Sequence, residues 1–304
     1  MHGRHSMSAV LSKPNVYESV TAKIVAAIEA GAEESQRPWH APELLAPMNA
    51  STTSYYRGIN VLALWIDAMD RGYPTSQWAS YKQWQDLGAQ VRKGERGCQI
   101  VFYKRLEDET TEEGDHTENR LRFVARASHV FNAQQVDGFE PRVIERRDPF
   151  QAHQQAEAFI EAVGARIEHG FRVARYRRDL DNIEMPERSW FVGTDTSSPL
   201  ESYYGVLCHE LTHWTGPPHR LGRDMGKRFG DDAYAMEELV AEIGAAFACS
   251  ALGITSEPRP DHAAYVSNWL NVLKRDPKAI FTAASKAQEA FEYLAYLATR
   301  NDHP

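Results

Sequence analysis

The chain has 304 residues, 42% of them hydrophobic and 25% charged, with a formal net charge of −8. That length gives room for about two domains with a real core, and the charge excludes a uniformly basic nucleic-acid coat while leaving a local basic patch open. The sequence has no apolar run near the ~18 residues of a membrane span, and its three cysteines, Cys98, Cys208 and Cys249, lack metal-finger spacing and read as small buried residues of a reducing compartment.

The polar start, "MHGRHSMSAVLSKPN", has no apolar h-region; residues 1–14 read as a frayed arm, and the expected location is cytoplasmic. A first helix is predicted over 15–30, with Asn15 as N-cap, Glu18 as its capping-box partner and Gly31 as its stop. A Pro/Ser/Thr-rich loop follows, and helical periodicity resumes over 55–72 with Leu62, Trp65, Ile66 and Met69 on one face.

Residues 71–105 invert the charge of the chain. Seven Lys and Arg stand against Asp86 and Glu95, a net of +5, interleaved with Tyr73, Trp78, Tyr81, Trp84, Phe102 and Tyr103. Basic side chains that track phosphates, with aromatics that stack on bases, are the ingredients of single-strand binding. The bland alternative is core aromatics under solvated charges, and Trp84 and Phe102 are expected in the core on either reading. Candidate DNA contacts are Arg57, Trp78, Tyr81, Lys82, Arg92, Lys93, Arg96 and Lys104. In "VRKGERG" the glycines would let backbone approach a phosphate.

Residues 98–105 and 121–132 alternate and are rich in β-branched and aromatic residues, so they predict a hairpin with an acidic, solvated tip. Residues 141–150 read as a linker. Beyond it the pattern predicts a helix over 150–166, strands near 171–176 and 181–186, and helices over 201–215, 234–252, 261–275 and 277–299, with Asp261 and Asp276 as N-caps. The strand at 181–191 precedes the helix that carries the chemistry and reads as an edge, either an ordinary one or, by resemblance to zincins, one that pairs with an extended substrate.

That helix carries His209-Glu210-x-x-His213. Histidines four apart share one helix face and converge on one ion, and Glu210 beside them suits a general base. Two third ligands compete. Gly216 and His219 complete a three-histidine spacing, but Pro217 and Pro218 stiffen the segment that must fold back. The other is Glu238, which lies with Glu242 on one face of an otherwise apolar helix, where a carboxylate pair is costly unless something binds it. The residues favour Glu238 as ligand, with Glu237 an exposed acidic edge; the spacing Glu238-x-x-x-Glu242 resembles that of glutamate-type zincins, which implies Glu242 as the acid that hydrogen-bonds a ligand histidine.

The ordered series "PMNASTTSYYRGINVLAL", "WASYKQWQDLGAQVRKGERG", "HVFNAQQVDG", "DNIEMP", "YYGVLCHELTHWTG", "HRLGRD" and "EELVAEIGAAF" resembles the ArdC-type antirestriction proteins over roughly residues 15–255. The resemblance implies an α+β chain. A mixed α/β domain over 15–142 would bind single-stranded DNA without sequence preference. A mostly helical, zincin-like metallopeptidase domain with a small sheet would follow over 150–304. It further implies Zn2+, or another divalent metal such as Mn2+, on His209, His213 and Glu238, with Glu210 as base. It implies protection of incoming plasmid DNA from restriction during conjugation, with a restriction enzyme or a DNA-bound protein as substrate. Two rival readings stand beside it: a non-proteolytic DNA-binding role with a structural metal site, and a DNA–protein crosslink protease.

Overall fold

A computed structural model describes residues 15–32, 45–106, 122–142, 148–194, 197–226, 231–254 and 263–300. The arm expected over 1–14, the acidic hairpin tip, residues 143–147 of the expected linker, and Asp261 lie outside the described residues.

Helix α1 (Val16–Ala32) starts at the predicted capping box: Asn15 N–H donates to Glu18 Oε2 at 2.9 Å and Glu18 N–H to Asn15 Oδ1 at 3.0 Å. It runs through Gly31 rather than stopping there. Strand β1 (Met48–Asn49) precedes helix α2 (Ile59–Arg71), which begins only at Ile59 because Gly58, at φ +56°, turns the chain into it. Strand β2 (Gln77–Ser80) leads into helix α3 (Tyr81–Asp86) and strand β3 (Gln90–Val91). The long hairpin strands are β4 (Cys98–Leu106) and β5 (Arg122–Asn132), and β6 (Val136–Asp137) returns to pair with β3. The main sheet has the order β1-β2-β5-β4, parallel only between β1 and β2.

The second part starts with helix α4 (Pro149–Val163), capped by Asp148. Strands β7 (Ile167–His169), β8 (Arg175–Arg177) and β9 (Asn182–Met185) form a small sheet of order β7-β9-β8. Strand β7 is not among the expected elements, and the strand expected as an edge at 181–191 is not one. The strand there, β9, is central and fully buried; the outer strand on one side is β8, short and rich in arginine. Helices α5 (Pro199–Trp214), α6 (Asp232–Leu252), α7 (Ala263–Arg275) and α8 (Ala279–Arg300) complete an α+β fold. Among the described residues no helix is long and apolar enough to cross a membrane.

Helix α6 is buried on nearly all sides, so its apolar residues serve two cores at once. One face packs with Trp214, Leu207 and Leu211 of α5, Ile160 of α4 and Ile183 of β9. The other packs with Val20, Ile24 and Ile28 of α1 and Leu62, Trp65 and Ile66 of α2, as well as with α7 and α8. The core therefore crosses the expected boundary near residue 142. Thr21 Oγ1 donates to Pro277 O, and Trp65 meets Phe247 of α6 at 5.8 Å between ring centroids. Burying side chains of this size contributes about 1.5–3 kcal/mol each, so the six from α1 and α2 carry on the order of 10 kcal/mol, comparable to a whole domain's stability. A fragment ending at residue 142 is accordingly expected to lose cooperative melting by circular dichroism; a sharp transition near that of the full chain would refute the shared core.

Candidate metal centre

The site is built where α5 and α6 cross. Gly244 sets their separation: a Cβ there would lie 2.6 Å from Thr212 Cγ2 and 2.8 Å from its Oγ1. Thr212 sits between His209 and His213, so the missing side chain at 244 brings the acidic end of α6 against the histidine face of α5. His209 Nε2 and His213 Nε2 are 3.1 Å apart, and Glu238 presents Oε2 to the first and Oε1 to the second, each at 3.6 Å. Ligand distances near 2.05 Å in a tetrahedral site place neighbouring donors about 3.3 Å apart. The observed triangle of two imidazole nitrogens and one carboxylate matches one face of such a site, with every donor within 4.8 Å of the others.

Each imidazole has a second acid on its far nitrogen. His209 Nδ1 lies 3.7 Å from Glu242 Oε1, and His213 Nδ1 lies 3.1 Å from Glu237 Oε1. Glu237 is thus not the exposed edge that its position suggested. It is 3% exposed and fully engaged. The buried Arg223 grips it through Nε at 2.9 Å and a terminal nitrogen at 2.8 Å, while also donating to Thr212 O and Thr215 Oγ1. Arg223 reaches this position because residues 216–223 fold back over the end of α5, where Arg223 N–H donates to Gly216 O. The "HRLGRD" segment therefore closes the site from outside α5 and α6. Burial alone would lower the His213 imidazole, but the Glu238 charge and the Glu237 hydrogen bond outweigh it and raise its pKa. Burial would raise Glu237, and the Arg223 and His213 contacts outweigh it and lower its pKa.

Glu210, beside the first histidine, is buried, and its Oε2 accepts the Tyr176 N–H of β8 at 2.8 Å. His219 stands apart. It is 60% exposed in its side chain and lies 3.7 Å from Asp181 Oδ2. Gly216 is not in the left-handed region; a Cβ there would meet Met225 Sδ at 2.6 Å, so the missing side chain admits the buried Met225. The tyrosines upstream on α5 are engaged elsewhere: Tyr203 Oη lies 3.0 Å from His169 Nε2, and Tyr204 Oη donates to Glu157. The three cysteines are buried and unpaired.

The candidate DNA contacts are treated unevenly by the fold. Trp78 is 1% exposed and packs in the core against Tyr73, so its ring offers no face to a base. Trp84 is buried as expected, but Phe102 is 45% exposed, because Val101 takes the inward position and strand side chains alternate. Arg57 pairs with Glu292 of α8, Lys82 with Asp86 at 3.2 Å, and Arg92 with Glu95 at 3.0 Å. Tyr81 is exposed, and its hydroxyl accepts from Gln90 of β3, next to Arg92 and Lys93. Lys93 and Arg96 are exposed; the side chain of Lys104 lies outside the described residues. Of the two glycines, Gly94 (φ +90°) is open, whereas Gly97 packs tightly against β5, where a Cβ would meet Val130 O at 3.0 Å.

Comparison with known proteins matches two family models. Residues 14–131 match the N-terminal domain of anti-restriction factor ArdC, and residues 154–286 match a zincin-like metallopeptidase. Protein y4eC of Sinorhizobium fredii is 42% identical, over 92% of this chain and 91% of its own. A DNA primase TraC of Escherichia coli is 36% identical over 94% of this chain, which spans only 27% of that primase. The metal-free crystal structure of the antirestriction protein ArdC of plasmid R388 superposes with a TM-score of 0.78 at 37% identity, over 94% of this chain and 99% of that one. Its Mn(II)-bound form gives 0.72 at 35% identity, over 94% and 98%.

Proposed function

Since the chain belongs to the ArdC family of antirestriction proteins, we propose that it binds single-stranded DNA through residues 15–142 and hydrolyses a protein substrate through residues 150–304, protecting incoming plasmid DNA from restriction during conjugation. The observation that carries the catalytic half is the triangle of the buried His209 and Glu238 and the half-buried His213, with the buried Glu210 next to His209 in the chain. Zn2+ is the natural occupant of two imidazoles and a carboxylate. Mn2+ is the alternative, and the relative from plasmid R388 has been seen with Mn(II). A cation held there would polarise a peptide carbonyl and acidify an attacking water.

The chain's own groups do the rest. The Tyr176 N–H of β8 fixes one oxygen of Glu210. Glu210 takes the proton of the attacking water and returns it to the leaving amine. Strand β8 borders this carboxylate and offers an extended backbone beside which a substrate segment aligns. Glu237 holds the His213 imidazole by its far nitrogen at 3.1 Å, which favours the tautomer that leaves Nε2 toward the cation, and Glu242 stands 3.7 Å from the far nitrogen of His209 in the corresponding place.

The decisive test is DNA transfer into a restricting host with wild type and Glu210→Gln. The variant keeps the ligands and an oxygen for the Tyr176 N–H but removes the base. Protection is expected to fall to the level of a strain lacking the protein while bound metal and melting stay unchanged. Full protection by the variant would refute a proteolytic mechanism and leave DNA binding as the protective act.

A further inference from the structure

A cavity of about 260 Å³ opens between α1, α2 and the start of β4, on the side of the chain that carries the positive segment. Its wall presents Lys23, Arg71 and Arg96, with Gly97 and His129 beside them and Asp67 at its base. Asp67 is 2% exposed; its Oδ1 takes Lys23 Nζ at 2.8 Å, while Oδ2 accepts no hydrogen bond and meets Arg71 Nε only at 3.4 Å. Arg71 also donates to Arg96 O at 2.8 Å and to the Tyr73 hydroxyl at 3.1 Å.

Lys23, Arg71 and Arg96 against the single carboxylate of Asp67 leave the lining residues at +2 in a chain whose net charge is −8, with Lys23 and Arg71 on the carboxylate and Arg96 joined to Arg71 through its carbonyl oxygen. Asp67 cannot neutralise all three, but it holds Lys23 and Arg71 in place, so little side-chain entropy remains to be lost when an anion arrives. Gly97 packs against β5, and this fixes the backbone that carries Arg96. Two cations fixed on one cavity wall and a third beside them are what a phosphate group requires.

We propose that this cavity holds a backbone phosphate of single-stranded DNA, with Lys23, Arg71 and Arg96 as its partners. The inference rests on the DNA-binding reading above and moves its centre to residues that the sequence did not single out, apart from Arg96. Arg57 lies at the opposite end of α2, roughly 20 Å away along a 13-residue helix, so it marks a competing site.

The test is a salt titration of oligonucleotide affinity by fluorescence anisotropy, on the full chain, for wild type, Lys23→Gln, Arg96→Gln and Arg57→Gln. Loss of one phosphate contact lowers the slope of log K against log salt by about 0.7, which amounts to about fivefold in affinity at ~0.1 M salt. That fall is expected for Lys23→Gln and for Arg96→Gln. A merely structural role would weaken binding without changing the slope. Lys23→Gln removes a partner of a buried carboxylate, so Arg96→Gln serves as the variant that leaves Asp67 paired.

Wild-type slopes in both Lys23→Gln and Arg96→Gln, with the fall confined to Arg57→Gln, would overturn the assignment and keep the DNA reading. An absence of oligonucleotide binding by wild type would overturn both. A deoxynucleoside monophosphate titration separates the sources. If the two variants lose the mononucleotide but keep the oligonucleotide, the cavity takes free phosphate and the assignment to DNA is wrong.

Discussion

Glu238→Ala is expected to lower the affinity of the protein for divalent metal by more than about 100-fold, beyond the 10–100-fold typical of an outer partner, while His219→Ala leaves it unchanged. The argument is geometric. Glu238 presents an oxygen to each imidazole at 3.6 Å, whereas His219 is largely exposed and turned toward Asp181. Isothermal titration with Zn2+ and Mn2+, together with metal content after dialysis, measures both variants. The opposite order would mean that the 216–219 segment refolds around the ion and that the three-histidine spacing is the true ligand set. Glu242→Ala should fall between the two, since its carboxylate touches His209 only through the far nitrogen. In all these proteins affinity should rise with pH. A raised His213 imidazole holds a proton that the cation must displace, so metal loading releases protons and weakens as the medium is acidified.

What could be read in advance was what is local. His209 and His213 are one helical turn apart, so their convergence follows from helix geometry alone. The acid pair Glu238 and Glu242 stood out because an apolar helix does not carry two same-face carboxylates without a reason. Glu237 differs from its expectation because an exposed acidic edge requires a helix with one wet face. Helix α6 has almost none, so a neighbour of Glu238 that would be solvated on an amphipathic helix is buried instead. Its partner Arg223 comes from a loop that periodicity cannot place, and the proline pair at 217–218 that argued against His219 gave no hint that the same loop delivers an arginine.

The strand errors have a related cause. Residues 181–186 show the right composition for a strand, but whether it is central or at an edge depends on β7 and β8, three residues each and too short to leave a pattern. Trp78 and Phe102 exchanged expected roles through register: one residue along a strand changes the face. The linker-like composition at 141–150 marks a boundary along the chain, but composition does not see that α1 and α2 share a core with α6.

Arg223→Ala should be the most destabilising single change near the site. Removing one partner of a buried ion pair costs about 3–5 kcal/mol, here because Glu237 would be left as a buried carboxylate with only His213 opposite it. At this chain length that corresponds to a fall in Tm of about 10 °C. The sign of the pH dependence tests the cause. In wild type the Glu237 pKa is lowered, so its contribution is present at neutral pH and is lost only as pH falls through a value below the ordinary carboxylate range. Without Arg223, burial dominates and the carboxyl titrates above that range, so the variant should regain stability relative to wild type as the medium is acidified. The double variant Arg223→Met with Glu237→Gln should recover most of the lost Tm at neutral pH, because no unpaired charge remains. Its metal affinity should nevertheless stay about 10–100-fold below wild type, since the His213 Nδ1 contact is then to a neutral amide. Recovery of both would mean that the pair supports the fold alone; recovery of stability without affinity would show that the loop carrying Arg223 tunes the centre through Glu237.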